Sequence, residues 1–370
     1  MKGSVRLRND KYSYYFKYKD EYGKWKTKEK GGFRTKKEAE TALRKALVDF
    51  EESNYIAKAS EYTLGQMIDY YFEHVGEISL RYESIKLYKK MNRCHVVSEL
   101  GNLKLDKVTP AVLQAFFTNF QKRYSKSTVK VTRTLLSNTL NLAVKQGLLK
   151  QNPLKAITLA SIKKEKKETR ALSEEERERI FSEVENTRYH SAFTVALYTG
   201  LRRGEVAGLT WDDVDFESNT IAVNKQLQVQ NSALMLVVTK TETSNRILQM
   251  PQKLHAYLKS LKQEQDERRA FYGEHYYQEK YFVCAEKDGR PISPDVLTDK
   301  AYLLKKKLNI DFKFHDLRHT HATMMLEADA NIKVLQERLG HSDIGTTLNT
   351  YSHVTKKLED QAIERFNTFF

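Results

Sequence analysis

An arginine that can hold a phosphate and a glutamate that can orient it stand three positions apart in TGLRRGEVAGLTWDDVD, residues 199–215. Arg202 and Glu205 are expected at the start of a helix and on one face of it, so that they can pair. On an exposed surface such an ion pair would contribute little. The leucines and valine around it indicate an apolar setting instead, in which an arginine oriented by Glu205 offers its planar fork of N–H groups to phosphate oxygens.

A second cluster lies in FHDLRHTHAT, residues 314–323, where a helix would present His315, Arg318 and His319 on one face. Histidines four residues apart are also typical of a zinc helix. The zinc interpretation is disfavoured, because Asp316 stands in place of the catalytic glutamate of that motif and because the arginine would repel a cation. A face with one arginine and two histidines suits an anion.

Three further polar residues stand at predicted turns or helix ends. Lys240 follows a β-rich run and is expected at a hairpin tip, where a lysine is usually solvated and is weak evidence by itself. His341 follows a helix stop in LGHSDIGTTLNTYSHV, residues 339–354, and Tyr351 lies ten residues after it. The small and polar neighbours of Tyr351 make a poor wall for a core residue. We therefore expect the phenol to reach beyond the surface of its own domain.

Two arginines, two histidines, a lysine and a tyrosine form a coherent set for breaking a phosphodiester bond. Guanidinium groups can hold the non-bridging oxygens as charge grows in the transition state, and each such donor can contribute about 3–4 kcal/mol. A phenol can attack phosphorus if a base takes its proton, and a lysine or histidine can protonate the leaving 5′-oxygen. The sequence shows no acidic cluster for Mg²⁺ and no G-x-x-x-x-G-K-[ST] loop, so a two-metal nuclease and an ATPase are disfavoured.

The overall charge points to the same kind of partner. The 370 residues carry a formal net charge of +15, which makes a polyanion the leading partner, with a merely basic soluble protein as the alternative. Cys94 and Cys284 are the only cysteines, so a disulfide framework is excluded and a reducing cytoplasm is expected. No apolar run comes near the roughly 18 residues of a membrane span, and the N-terminus lacks the apolar segment of a secretory signal.

The chain is predicted to form three domains, and all the candidate residues follow the first two along the sequence. Residues 1–55 alternate aromatic and basic residues in KYSYYFKYKD and turn at DEYGK, and a Thr35–Glu38 capping box opens a helix. We interpret this basic sheet as a DNA-binding face rather than a solvated sheet over a small core. Residues 61–157 have helical periodicity and are expected to form four or five helices, with Ser127 opening the last one.

The third domain, residues 171–370, follows a charged linker at residues 158–170 and contains all the candidate residues. Its helices alternate with one β-rich patch formed by NTIAVNKQLQV, LMLVVTK and NRILQMP. Its last stretch, KKLEDQAIERFNTFF, is typical of an amphipathic helix. The composition and patterns thus predict a multidomain protein that is mainly α with small β-sheets.

Taken in order, TGLRRGE, the TK turn, HDLRHTHAT, LGH and the following tyrosine resemble the signature of the tyrosine recombinases, the phage integrase family. With the helical domain, the resemblance covers about residues 60–360. The N-terminal segment resembles the arm-DNA-binding domain of integrases from temperate phages and integrative elements. The resemblance implies an N-terminal three-stranded sheet plus helix, a helical core-binding domain and a mixed α/β catalytic domain.

The resemblance also assigns chemical roles. Arg202 and Arg318 would clamp the scissile phosphate, and Tyr351 would be the nucleophile that forms a 3′-phosphotyrosyl bond. Lys240 would protonate the leaving 5′-hydroxyl, and His315 would assist in removing the tyrosine proton. The bond energy would be kept in the protein–DNA linkage, so that neither a cofactor nor a metal is implied.

Three more residues complete the implied site. His341 would hydrogen-bond the phosphate, Glu205 would orient an arginine, and His319 is expected to pack or bond locally. The family acts as a tetramer that exchanges strands through a Holliday junction. The implied partners are therefore double-stranded DNA with core-type and arm-type attachment sites, three further copies of the chain, a host DNA-bending protein and an excisionase. The implied location is the bacterial cytoplasm, at the nucleoid and away from membranes.

Other interpretations stay open on the sequence alone. The chain would be a chromosome-dimer resolving recombinase or a relative of type IB topoisomerases, but the extra N-terminal basic unit argues against the resolving type. It would alternatively be a catalytically inactive DNA-binding regulator on the same scaffold, although all six catalytic candidates are present. The predicted C-terminal helix would pack either on a neighbouring protomer or on its own domain.

Overall fold

The computed structural model divides the chain into two compact units, residues 1–164 and 165–370. This division falls inside the predicted linker at residues 158–170, and the domain limits themselves stay a prediction. No helix among the described residues is long and apolar enough to cross a membrane. The structure describes residues 2–8, 10–19, 24–160, 170–238, 245–345, 347–348, 350–351, 363 and 366–367, without the side chains of residues 51–58.

The first unit opens with an antiparallel three-stranded sheet in the order β1-β2-β3, which packs on one helix. The alternating pattern of β2 buries Tyr14 and Phe16 against Leu43 of that helix. The predicted capping box is present, since the N–H of Glu38 donates to Thr35 Oγ1 at 3.2 Å and the N–H of Thr35 to Glu38 Oε2 at 3.3 Å. The elements are β1 (Gly3–Arg8), β2 (Lys11–Lys19), β3 (Trp25–Phe33) and α1 (Lys36–Ala59).

A separate apolar core lies among the helices in the rest of this unit. Three of these helices begin at side-chain caps, as at Thr63, whose Oγ1 accepts from the N–H of Gln66 at 3.2 Å. The prediction that Ser127 opens the last helix is wrong, because the hydroxyl of Ser125 accepts the N–H of Thr128 and starts the helix two residues earlier. The helices are α2 (Leu64–Tyr71), α3 (Glu77–Ser79), α4 (Tyr82–Met91), α5 (Pro110–Arg123) and α6 (Lys126–Lys145), with π-helical turns at Phe72–Gly76 and Asn92–Gly101.

The second unit surrounds two small antiparallel sheets with helices. One sheet has the order β4-β5-β8, and the other is the hairpin β6-β7. The β-rich patch is therefore present, and the prediction of a mainly helical chain with small sheets is confirmed. The strands are β4 (Val214–Asp215), β5 (Thr220–Val223), β6 (Lys225–Gln230), β7 (Ala233–Val238) and β8 (Arg246–Gln249). The helices are α7 (Glu174–Val184), α8 (His190–Thr199), α9 (Arg203–Gly208), α10 (Gln252–Tyr272), α11 (Pro294–Leu308), α12 (Asp316–Glu327) and α13 (Ile332–Leu339).

Candidate active site

Two helix ends in the second unit form the floor of the candidate site. Helices α8 and α13 both stop at a glycine with positive φ, Gly200 at 67° and Gly340 at 65°, a conformation that glycine adopts without strain. A Cβ atom at Gly200 would lie 2.6 Å from Cδ2 of His321, so the position is also closed to larger residues. The last carbonyl groups of these helices are orphan acceptors that carry partial negative charge, and they suit guanidinium groups.

The guanidinium of Arg318 donates hydrogen bonds to carbonyl groups at both helix ends. Its Nη1 donates to the carbonyl of Gly200 at 2.8 Å and its Nη2 to the carbonyl of Leu339 at 2.7 Å, and the residue is only 2% exposed. Burial, followed by the charge of Arg202, lowers the pKa of Arg318 to about 9. The side chain therefore stays protonated at neutral pH and forms a fixed positive charge inside the site.

Arg202 lies beside it and is bound to Glu205, as the spacing predicted. Nη1 of Arg202 donates to Glu205 Oε1 at 3.0 Å, and its backbone N–H donates to Glu205 Oε2 at 2.8 Å. Its Nη2 donates to the carbonyl of Gly340 at 2.8 Å, next to the carbonyl that holds Arg318. Because 38% of the Arg202 side chain is exposed, its guanidinium can bind a ligand that enters from solvent. Arg318 supplies a second positive charge from the buried side of the site.

Three histidines lie close to the arginines. The rings of His315 and His319 meet edge to face with their centroids 4.8 Å apart, and Nδ1 of His341 is 2.8 Å from the hydroxyl oxygen of Thr347. In each case burial, followed by neighbouring positive charge, lowers the pKa to about 4. All three imidazoles are therefore neutral at neutral pH and can accept or donate a hydrogen bond.

Tyr351 joins this cluster, but not in the way its sequence neighbours indicate. The expectation of a phenol that reaches beyond its own domain is wrong for this structure, since Tyr351 is 1% exposed. Its ring packs in an apolar cluster with Leu335 and Leu339 of α13, and its hydroxyl lies 3.0 Å from Nδ1 of His319. Burial raises the pKa of Tyr351 to about 12, although the charge of Arg318 acts in the opposite direction.

Two predicted features lie outside the described residues. Lys240 belongs to residues 239–244, between β7 and β8, so its place in the site stays a prediction. Most of the predicted C-terminal helix lies outside them as well, and so does the choice between packing on its own domain and on a neighbour. The described residues contain no group of three possible metal ligands, and the absence of a metal from the reaction also stays a prediction.

Sequence reasoning missed Arg246 on β8, which completes the arginine network. Its Nη1 and Nη2 donate to the two carboxylate oxygens of Glu205 at 3.2 and 2.8 Å. Burial alone would raise the pKa of Glu205, but the hydrogen bonds and charges of Arg246 and Arg202 outweigh it and hold the pKa below its usual range. Glu205 therefore remains an anion between two guanidinium groups. No local pattern marks Arg246, because its partner lies 41 positions away.

Arg338 and His321 form a second support that the sequence did not indicate. Nε of Arg338 donates to Nε2 of His321 at 3.0 Å, and Nδ1 of His321 is 2.8 Å from the carbonyl of Leu197. This pair of bonds requires the neutral tautomer with its proton on Nδ1. The imidazole therefore joins α12 to α8 and to the last turn of α13, which carries the carbonyl groups that hold the two site arginines.

Comparison with known proteins decides which family has this arrangement. A model of the phage integrase family matches residues 170–357, more than half of the chain. The chain belongs to the phage integrase family. An arm DNA-binding domain model also matches residues 4–50, and a phage integrase N-terminal SAM-like domain model matches residues 63–121. This membership makes the chain a tyrosine-type site-specific DNA recombinase and confirms the resemblance inferred from the motifs.

Individual relatives agree with the family match. A tyrosine recombinase XerC-like protein of Caldanaerobacter subterraneus is 30% identical over 95% of this chain and 94% of its own length. The Tn1549 transposon integrase, solved with transposon right end DNA, is 22% identical, with a TM-score of 0.68 over 82% of this chain and 99% of that chain. A lambda integrase tetramer on a Holliday junction is 19% identical, with a TM-score of 0.57 over 92% and 95%. At these identities the two structures show the shared integrase fold.

Proposed function

We propose that this integrase cuts and rejoins DNA through a 3′-phosphotyrosyl bond at Tyr351, and so integrates and excises a mobile element. The observation that carries the assignment is the meeting of Arg202, Arg318, three histidines and Tyr351 in one cluster. These residues come from stretches up to about 150 positions apart. A buried cluster that brings two guanidinium groups to a phenol suits attack on an anionic phosphodiester.

In the proposed reaction the phosphate sits on the exposed Arg202, with Arg318 behind it and His341 as a further hydrogen-bond donor. The hydroxyl oxygen of Tyr351 attacks phosphorus while His315 takes its proton, and the bond from phosphorus to the 5′-oxygen breaks. That oxygen takes a proton from Lys240, which leaves a free 5′-hydroxyl and a 3′-phosphotyrosyl bond. A 5′-hydroxyl of the partner strand then attacks this bond and releases Tyr351. One phosphodiester bond replaces another, so the exchange requires no ATP.

The proposed assembly is a homo-tetramer on two DNA segments. Residues 4–50 match an arm DNA-binding domain, which supports separate arm-type and core-type sites and argues against a chromosome-dimer resolving role. A host DNA-bending protein and an excisionase are proposed as accessory partners, and the bacterial nucleoid is the proposed location. The net charge of +15 supports an extended contact with DNA phosphates.

A recombination assay with Arg202→Lys tests the proposal. The substrate plasmids carry the joined ends of the encoding element and its target, and the buffer contains EDTA. Lysine keeps the charge but loses the planar fork that binds two phosphate oxygens. We expect wild-type protein to recombine the plasmids and the variant to lose about 10²-fold or more in rate at unchanged DNA affinity. Recombination by Arg202→Lys at the wild-type rate would show that Arg202 does not bind the phosphate in the reaction.

A further inference from the structure

The hydroxyl of Tyr351 is hydrogen-bonded to a residue that has no role in the proposed reaction. His319 Nδ1 lies 3.0 Å from the Tyr351 oxygen, and the two ring centroids are 6.0 Å apart. The resemblance gave the tyrosine proton to His315 and left His319 with local packing. The described hydrogen bond of the Tyr351 hydroxyl instead involves His319, whose ring packs against that of His315 with the centroids 4.8 Å apart.

We propose that His319 is a positioning residue for the nucleophile, holding the Tyr351 hydroxyl by accepting its hydrogen at Nδ1. The inference rests on the proposed role of Tyr351. His319 acts on the attacking oxygen and not on the phosphate, which separates its role from those of the two arginines and His341.

The surroundings of His319 support this direction of the hydrogen bond. The imidazole is neutral at neutral pH, so that one ring nitrogen has a free lone pair, while a phenol with a raised pKa keeps its hydrogen and donates it. In the tautomer with its hydrogen on Nε2, the donor is Tyr351 and the acceptor is His319.

Both sequence neighbours of His319 are tied to other parts of the domain by side-chain hydrogen bonds. Its neighbour Arg318 is tied by hydrogen bonds to the carbonyl groups of Gly200 and Leu339. Thr320 on its other side accepts the backbone N–H of Leu172 at 3.0 Å and donates to the carbonyl of Asp316 at 2.8 Å. An acceptor fixed in this way can hold the phenol in register with Arg318, and a displacement of about 1 Å can cost 10²-fold in rate.

The test compares His319→Asn with His319→Leu, two side chains of similar shape. The Asn Oδ1 can replace Nδ1 as an acceptor, whereas Leu offers none. Full-length proteins are mixed with a nicked duplex from the end of the encoding element, and covalent cleavage is followed in a single turnover. We expect Leu to slow cleavage by about 10- to 100-fold at unchanged DNA affinity, and Asn to restore most of the rate.

Three results would overturn the proposal or the function beneath it, and they are distinguishable. No adduct with wild-type protein, despite DNA binding, would refute the proposed function. Cleavage by His319→Leu at the wild-type rate or faster would refute the positioning role alone. Equal losses in the Leu and Asn variants, at unchanged melting temperature, would show that the acceptor is not what matters.

A second measurement decides the case if His319→Leu does not fold. Full-length protein labelled with ¹⁵N-histidine is compared with its Tyr351→Phe variant, and His319→Asn assigns the resonance. We expect loss of the hydroxyl to shift the Nδ1 resonance of His319 and to leave that of His321, which bonds the carbonyl of Leu197, in place. An unchanged His319 resonance would show that the hydrogen bond is absent and would overturn the proposal.

Discussion

Arg246 places two hydrogen bonds, of 3.2 and 2.8 Å, on the carboxylate of Glu205. The two side chains are 7% and 2% exposed, and the carboxylate also accepts from Arg202. The exposed arginine of the site is thus oriented by a buried anion, which is itself oriented by an arginine from β8. Arg246 also donates through Nε to the carbonyl of Arg338 at 2.7 Å, which joins β8 to the last turn of α13.

Arg246→Lys should therefore impair catalysis without removing a charge. Lysine cannot contact both carboxylate oxygens and the Arg338 carbonyl with one fixed plane, so that Glu205 and with it Arg202 lose their orientation. We expect DNA cleavage to slow about 10- to 100-fold with little change in DNA affinity. Arg290→Lys, at an exposed arginine, is the matched control and should behave as wild type. Full activity of Arg246→Lys would show that the network does not orient Arg202.

Replacing the carboxylate of Glu205 should lower the free energy of unfolding. Glu205→Leu leaves two guanidinium groups beside an apolar side chain, and removing one partner of a buried ion pair typically costs about 3–5 kcal/mol. Glu205→Gln keeps the shape and an acceptor oxygen, so we expect a smaller loss from it. Urea unfolding measures both variants. A Glu205→Leu variant within about 1 kcal/mol of wild type would contradict the buried-network account.

Acid should destabilise the second unit before its carboxylates titrate. The pKa values of His315, His319 and His341 are lowered to about 4, and that of His321 to about 3. As the pH falls below the ordinary histidine pKa of about 6.5, these histidines bind protons in the unfolded chain but stay neutral in the folded chain. The free energy of unfolding should fall from pH 6.5 to pH 5, with uptake of more than one proton. Urea midpoints measured across this window test the expectation, and a flat profile would contradict it.

The outer face of the N-terminal sheet should carry the contact with arm DNA. Lys17 and Lys19 are exposed on β2, opposite the face that buries Tyr14 and Phe16, and Lys19 lies 5.3 Å from the ring of Trp25. Replacing both lysines by glutamine should weaken binding to arm-site DNA and reduce the slope of log affinity against log salt by about one per lysine.

The matched control for this prediction changes two exposed lysines of α1, Lys37 and Lys45, to glutamine. The net charge changes by the same amount, but the sheet face stays intact. Equal losses in the two double variants would indicate a general charge effect and would contradict a contact through the sheet. Binding to core-site DNA, measured in parallel, should be unaffected by either pair.

Local patterns predicted the elements and the pairs that lie within one helix. The capping box at Thr35 and the Arg202–Glu205 pair depend on residues three positions apart, and the structure contains both of them. The surroundings of Tyr351 could not be predicted in this way. Its immediate neighbours are polar, but its ring meets leucines of α13, and its hydroxyl meets His319, 32 positions away.

The same limit explains why the sequence indicated the Arg202–Glu205 pair but not the other arginines of the network. Arg246 on β8 approaches Glu205 on α9 only in the folded unit, since 41 positions separate them along the chain. Arg338 and His321 meet because α12 and α13 pack together. These contacts depend on tertiary packing, which no spacing within a single element reports.

A trapping assay tests most directly whether Tyr351 forms a covalent bond with DNA. Wild-type protein and Tyr351→Phe are incubated in EDTA with nicked duplexes from the ends of the encoding element, and denaturing gels are read for a protein–DNA adduct. We expect an adduct at the 3′-phosphate with wild-type protein and none with the variant, at equal DNA affinity. An adduct that persists in Tyr351→Phe would show that Tyr351 is not the nucleophile, and its absence from wild-type protein bound tightly to the DNA would refute covalent cleavage.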